Sequence, residues 1–157
     1  RYAKYSEAGP DYVENMQRLL RKFETAKTYV PAPLLDTVGK GARFGVLHYG
    51  STAAPMDEAI DILRKQGVEI DVMRLRGFPF SREVDDFIAS HEKIFVVEQN
   101  RDAQLRTLLM TENVASPDRL VSVLHYDGSP VTARFIVRAI ADLVAKASSP
   151  AKEGALS

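Results

Sequence analysis

The sequence contains no cysteine. That excludes a disulfide, a thiolate nucleophile and a cysteine-ligated iron–sulfur cluster held by this chain. It also fits a reducing compartment, and a cytoplasmic location is expected. Excess charge of either sign is lacking too. Lys plus Arg number 21 and Asp plus Glu number 21, so the formal net charge is zero. Recognition of nucleic acid needs clustered cations, so no nucleic-acid partner is expected. Long apolar runs are missing. Stretches such as Ile94-Phe95-Val96-Val97 fall far short of the roughly 20 residues that cross a bilayer, and no membrane partner is expected. The first residue is Arg1 rather than Met, and no charged-then-apolar leader follows. The expectation is a piece of a longer chain, not a secretory signal.

Catalytic signatures are scarce as well. His48, His91 and His125 have no metal-ligand spacing among them and fall on separate elements. No metal site is expected, and His48 and His125 read as structural histidines with satisfied partners near strand ends. There is no Gly-x-Ser-x-Gly elbow, which leaves a hydrolase triad unsupported. Asp85 and Asp86 fall on a helix surface, a poor setting for a paired-carboxylate mechanism.

What is present suits one domain with a real core: 157 residues, 45% hydrophobic and 27% charged. Tyr12, Val13, Met16, Leu19, Leu20, Phe23 and Ala26 recur at steps of three and four. This spacing predicts an amphipathic helix opened by Pro10 and Asp11 and ended by Val30-Pro31-Ala32-Pro33. Its apolar stripe needs a partner, either the rest of the chain or a neighbouring domain. Residues 31–42 read as a linker, so residues 1–42 form a leading helix and linker. Residues 43–147 then alternate strand and helix. Strands are expected at 44–49, 68–75, 93–97 and 120–124. Helices are expected after Gly50-Ser51-Thr52, after Ser81 as a cap, over about 101–113, and after a Ser129 cap with Pro130 at the first position. Residues 148–157 are small and polar and read as a disordered tail. The alternation predicts a three-layer α/β fold, its sheet mostly parallel with helices on both faces. Numbering those four strands in sequence, the favoured order is 2-1-3-4.

In such sheets, ligands bind beyond the carboxyl ends of strands, where the order reverses. Two polar stretches fall there: Gly50, Ser51 and Thr52 after the first strand, and Glu98, Gln99, Asn100 and Arg101 after the third. Both precede helix N-termini, which favour anions. Asn100, Ser51 and Thr52 also suit helix caps. Four consecutive polar side chains exceed what a cap requires, so capping and an interface or ligand role both stand. The Gly-Ser-Thr turn lacks the dinucleotide and P-loop spacings, which makes it a weak phosphate signal. Arg74 and Arg76 are expected on one face of a strand end, as an interface pair or as contacts to an anion. The residue reading leaves a second possibility open, a stand-alone flavodoxin-like module for a phosphorylated ligand.

Four stretches carry a family resemblance, in order: Tyr49-Gly50-Ser51-Thr52, Arg74-Leu75-Arg76-Gly77-Phe78-Pro79-Phe80, Val96 to Leu105 (Val-Val-Glu-Gln-Asn-Arg-Asp-Ala-Gln-Leu), and His125-Tyr126-Asp127-Gly128-Ser129-Pro130. Together they resemble the C-terminal region of the alpha subunit of 2-oxoacid:ferredoxin oxidoreductases, the 2-oxoglutarate type most closely. The stretch from Glu98 to Leu105 is the most specific. Ala103 stands where a Gly is frequent in the family, and Ser129 where an apolar residue is frequent. The resemblance implies a region similar to the transketolase C-terminal domain, with a role in subunit contacts. It implies a complex that decarboxylates a 2-oxoacid on thiamine diphosphate with Mg²⁺, passes electrons through an iron–sulfur cluster to ferredoxin, and gives the acyl group to coenzyme A. The partners it implies are the beta subunit and the remaining domains of the alpha subunit. These would hold the cofactors, so no catalytic residue is carried onto this chain, and the domain alone is expected to be inactive.

Overall fold

Five strands build one sheet in the order β1-β3-β2-β4-β5. In the computed structural model, which describes residues 5–39, 41–112 and 116–148, they are β1 (Leu34–Asp36), β2 (Phe44–Tyr49), β3 (Ile70–Leu75), β4 (Lys93–Glu98) and β5 (Leu120–Leu124). β2 is parallel to β3 and to β4, and β4 to β5, as strand–helix–strand crossovers require. Their order is the 2-1-3-4 expected for the four longer strands. The correction concerns β1. Part of the expected linker is a three-residue edge strand, paired antiparallel to β3 with Leu35 opposite Met73. It is too short to show a period, and prolines stand before it.

The helices are α1 (Gly9–Lys27), α2 (Ala53–Lys65), α3 (Arg82–Ser90), α4 (Gln104–Glu112) and α5 (Ala133–Ser148). β2 and β4 are apolar on both faces because both faces are covered. On one side, Phe44, Val46, Val72, Phe95 and Val97 pack with Met56, Leu63, Ile136 and Ile140 of α2 and α5. On the other, Leu47, Met73, Ile94 and Val96 pack with Val84, Phe87, Leu105 and Leu109 of α3 and α4. Gly45 lies in this second layer. A Cβ there would stand 2.7 Å from Ile94 and 2.9 Å from the Phe87 ring, so β2 can sit under α3 only without a side chain at that position.

Helix ends follow local chemistry, with several departures from expectation. Gly67, at φ +78, closes α2. Its N–H reaches the Arg64 carbonyl and that of Val68 reaches Leu63, a Schellman pattern. Ser81 precedes α3 but makes no side-chain capping bond. Ser129 does not cap α5. It belongs to the Asp127 turn, where its N–H donates to Asp127 Oδ1 at 2.9 Å. The cap is Thr132, whose Oγ1 accepts from the Phe135 N–H at 3.2 Å. The helix expected over about 101–113 begins later, at Gln104, for a reason that lies in the site itself. α1 forms where expected, yet none of its side chains is buried. The tail expected to be disordered lies outside the described residues apart from Ser148, which ends α5.

Candidate functional site at the carboxyl edge

Because the strand order reverses between β2 and β4, their carboxyl ends flank the place where a crevice is expected. Here Gly50 takes φ +58, a backbone region L side chains rarely occupy, and swings the chain out of β2. Gly50, Ser51 and Thr52 then form a short 3-10 turn leading into α2. Neither hydroxyl caps that helix. Both accept from the Gln99 side-chain amide, Ser51 Oγ at 3.0 Å and Thr52 Oγ1 at 3.2 Å. The Gln99 Oε1 accepts in turn from the Val131 N–H at 3.3 Å, just before α5. One amide thus ties the end of β4 to the start of α2 and the approach to α5, across the expected crevice.

Glu98 acts in the opposite direction. It is fully buried, and no ion pair neutralises it among the described residues. Its Oε2 accepts from the Leu105 N–H at 2.7 Å and from Asn100 Nδ2 at 2.8 Å, and its Oε1 from the Arg106 N–H at 3.0 Å. The Gln104 N–H donates to Asn100 Oδ1 at 3.2 Å. The first three amides of α4 are therefore capped by two side chains, Glu98 from the end of β4 and Asn100 from the loop after it. A carboxylate suits this place, since free N–H groups and the helix dipole favour negative charge there. The residue at the N-cap itself, Ala103, has no polar side chain and sits at φ +50. Asn100 thus caps as one of the two expected readings held, although α4 begins four residues beyond it. Glu98, expected at a subunit surface, faces inward instead. Gln99, Ser51 and Arg101 stay exposed, and Arg101 pairs with Asp102 at 2.7 Å.

The two remaining candidates part company. Arg74 lines a cavity of about 450 Å³ with His48, Met56, Asp57 and Val72, on the α2 side of the sheet. Arg76 follows the end of β3 and lines a second cavity, of about 490 Å³, with Tyr49, Phe78, Leu105 and Leu108 on the α4 side. The expectation of one shared face is corrected: β3 stops at Leu75, so strand alternation does not extend to residue 76.

Three features escaped the sequence. His48 is 3% exposed, and its Nδ1 has no hydrogen-bond partner, against the expectation of a satisfied structural histidine. Burial, with Arg74 nearby as a second cause, lowers its pKa to about 4, and Asp57 opposes the shift. The buried Asp71 accepts from the Val38 N–H at 2.8 Å and faces His91 Nε2 at 3.3 Å. His91 Nδ1 meets the Phe87 carbonyl at 2.7 Å. This pair fastens the chain after β1 to β3 and to the end of α3. The aromatic cavity beside Arg76 is the third feature, since Tyr49 and Phe78 are 29 positions apart in sequence and meet only through the sheet.

No group of three or more His, Asp or Glu fit to hold a metal ion occurs among the described residues, and there is no cysteine for an iron–sulfur cluster. No helix among the described residues is long and apolar enough to cross a membrane.

Comparison with known proteins places this arrangement. Residues 42–133 match the family described as pyruvate:ferredoxin oxidoreductase core domain II. Over 92 residues the chain is 34% identical to 2-oxoacid:ferredoxin oxidoreductase 2, subunit alpha, of Aeropyrum pernix, covering 57% of this chain and 14% of that relative. The chain thus spans about a seventh of the length of the curated relative it matches. Among solved structures it is similar to the 2-oxoglutarate:ferredoxin oxidoreductase of Magnetococcus marinus, with 2-oxoglutarate, coenzyme A and succinyl-CoA bound. That likeness has a TM-score of 0.78 at 20% identity and covers 87% of this chain and 24% of the other. A split-gene transketolase, an inactive beta4 tetramer, is similar at TM-score 0.53 and 18% identity over 71% of this chain and 41% of its own. At these identities the two structures show the fold alone, a mostly parallel sheet of transketolase C-terminal type.

Proposed function

Since the chain belongs to the pyruvate:ferredoxin oxidoreductase core domain II family, we propose that it is the C-terminal assembly domain of the alpha subunit of a thiamine-diphosphate-dependent 2-oxoacid:ferredoxin oxidoreductase. The parent enzyme makes acyl-CoA and CO2 and reduces ferredoxin. Its substrate in this reading is 2-oxoglutarate. The match over residues 42–133 carries the proposal. The stretch from Glu98 to Leu105 supports the 2-oxoglutarate type by resemblance, and a structure of similar fold holds that substrate.

The chain's own chemistry fits a supporting part. Its fully buried carboxylate, Glu98, caps α4. Gln99, Ser51 and Arg101 at the carboxyl edge are bonded within the domain yet remain exposed, where a beta subunit or another alpha domain can meet them. Thiamine diphosphate, Mg²⁺ and the iron–sulfur cluster are then held by those other parts, with ferredoxin docking on the complex in the cytoplasm. No observation favours the stand-alone phosphorylated-ligand module, because the turn that would cradle phosphate has both hydroxyls engaged by Gln99.

The test is an assay of the intact complex. Viologen reduction with thiamine diphosphate and coenzyme A should be driven by 2-oxoglutarate in preference to pyruvate. Preference for pyruvate would remove the substrate assignment, and absence of activity with every 2-oxoacid would remove the reading.

A further inference from the structure

The apolar face of α1 is largely exposed. Tyr12, Met16, Leu19, Phe23 and Ala26 follow one another at alternating steps of four and three, the spacing of a helix-packing seam. Val13 and Leu20 widen the seam on one side. Tyr12 is 67% exposed, Leu20 60% and Phe23 53%. A 19-residue helix is marginal in water on its own, and most helical stability comes from burying such a face.

The face does not stop at the helix. The Phe23 ring meets Phe78 edge-on at 6.5 Å, and Phe78 meets Phe80 at 5.2 Å. Phe78, 42% exposed, is also a wall of the cavity of about 490 Å³ at the carboxyl ends of β2 and β3. A continuous apolar surface therefore leads from α1 to a pocket large enough for an aromatic or aliphatic anchor. Two cations stand beside it. Lys22 borders the seam and Arg76 lines the cavity. Both are exposed, and neither has an ion-pair partner among the described residues.

We propose that this surface is the seat of another domain of the same subunit, one that presents an apolar ridge with an anchor side chain and carboxylates facing Lys22 and Arg76. The proposal rests on the functional reading above. Two observations fix the occupant. The chain spans 14% of its curated relative, so most of such a subunit lies outside these residues. A lone helix on the seam would not reach the cavity and Arg76, so the occupant is a folded domain that meets both.

Photo-cross-linking of the full-length subunit in its complex tests this. A benzophenone side chain is placed at position 23 and, separately, at position 78, and adducts are mapped by mass spectrometry. Both positions should label one and the same domain of the same subunit, outside these 157 residues, and labelling of a different subunit would overturn the proposal. Labelling of residues 1–157 in a second copy would overturn the proposal, as would no protein adduct at either position. The double variant Lys22→Glu, Arg76→Glu should lower the adduct yield several-fold, while Glu14→Lys, on the opposite face, should leave it unchanged. An unaltered yield for the double variant would remove the carboxylate partner. Activity is read in parallel. A complex with no 2-oxoacid-dependent reduction that still gives the adducts would sink the functional reading and leave the docking surface standing.

Discussion

At the scale of single residues, the carboxyl edge is governed by where charge and unpaired polar atoms are buried. His48 has a folded pKa of about 4, against an ordinary value near 6.5. Between those values the unfolded chain holds a proton that the folded chain refuses. Stability therefore falls as pH drops from about 6.5 towards 4, by at most about 1.4 kcal/mol per pH unit, and this contribution stops changing below about 4. In His48→Leu that slope should vanish, since no imidazole remains to be protonated. At neutral pH the substitution should cost little, because the Nδ1 it removes has no partner. Urea midpoints of both proteins between pH 4 and 7 would show it, and parallel curves would mean that His48 is not the group responsible. Ala103 poses a simpler case. An L side chain at φ +50 is strained by roughly 1–2 kcal/mol, and the extra freedom glycine gives the unfolded chain offsets part of that. Ala103→Gly should stabilise the domain by about 0.5–1 kcal/mol in the same measurement, and any loss would contradict the strain argument. The physical sense of the frequent family glycine at this position is the left-handed backbone that opens α4.

At the scale of elements, α4 depends on a residue it does not contain. Glu98 accepts two of the helix's first N–H groups from the end of β4. Glu98→Ala strands those donors in a buried place and should cost about 2–4 kcal/mol. Glu98→Gln keeps one accepting oxygen and should cost less. Urea unfolding of the two variants settles the order, and a loss under about 0.5 kcal/mol for the alanine would show that water satisfies the amides. This dependence also explains what was legible in the sequence. β2 and β4 could be read because Phe44–Tyr49 and Ile94-Phe95-Val96-Val97 are apolar on both faces of a covered sheet. The end of α2 was readable because Gly67 acts on its immediate neighbours. The start of α4 was not, since its caps stand four and six residues upstream of Gln104. The function of Gln99 was hidden further, because its partners lie 32 to 48 positions away. Polar character at the site was visible in the sequence. Whether those side chains point inward or outward is decided by the register of β4 and by Gly50, which no local pattern encodes.

At the scale of the whole molecule, the domain is a body with a finished interior and an unfinished exterior. Helices cover both faces of the sheet and Gln99 bridges its carboxyl edge, while no residue of α1 is buried. Chemistry on a 2-oxoacid needs a carbanion stabiliser and an electron acceptor held in place, and this chain has no cysteine and, among its described residues, no metal-ligand group. The cofactors bring that chemistry, and a protein's part is to bind and orient them. The purified 157-residue chain should therefore give no viologen reduction above the protein-free rate with 2-oxoglutarate or pyruvate, thiamine diphosphate, Mg²⁺ and coenzyme A. The intact complex under the same conditions should turn over. Deleting residues 5–30 from the full-length subunit should lower the yield of assembled complex before it alters the rate per assembled enzyme, because α1 offers binding surface and no reacting group. Size-exclusion chromatography measures the first quantity and the dye assay, normalised to assembled protein, the second. Turnover by the chain alone would refute the division of labour, and so would normal assembly of the deletion with a collapsed rate, since that pattern would put α1 in the reaction itself.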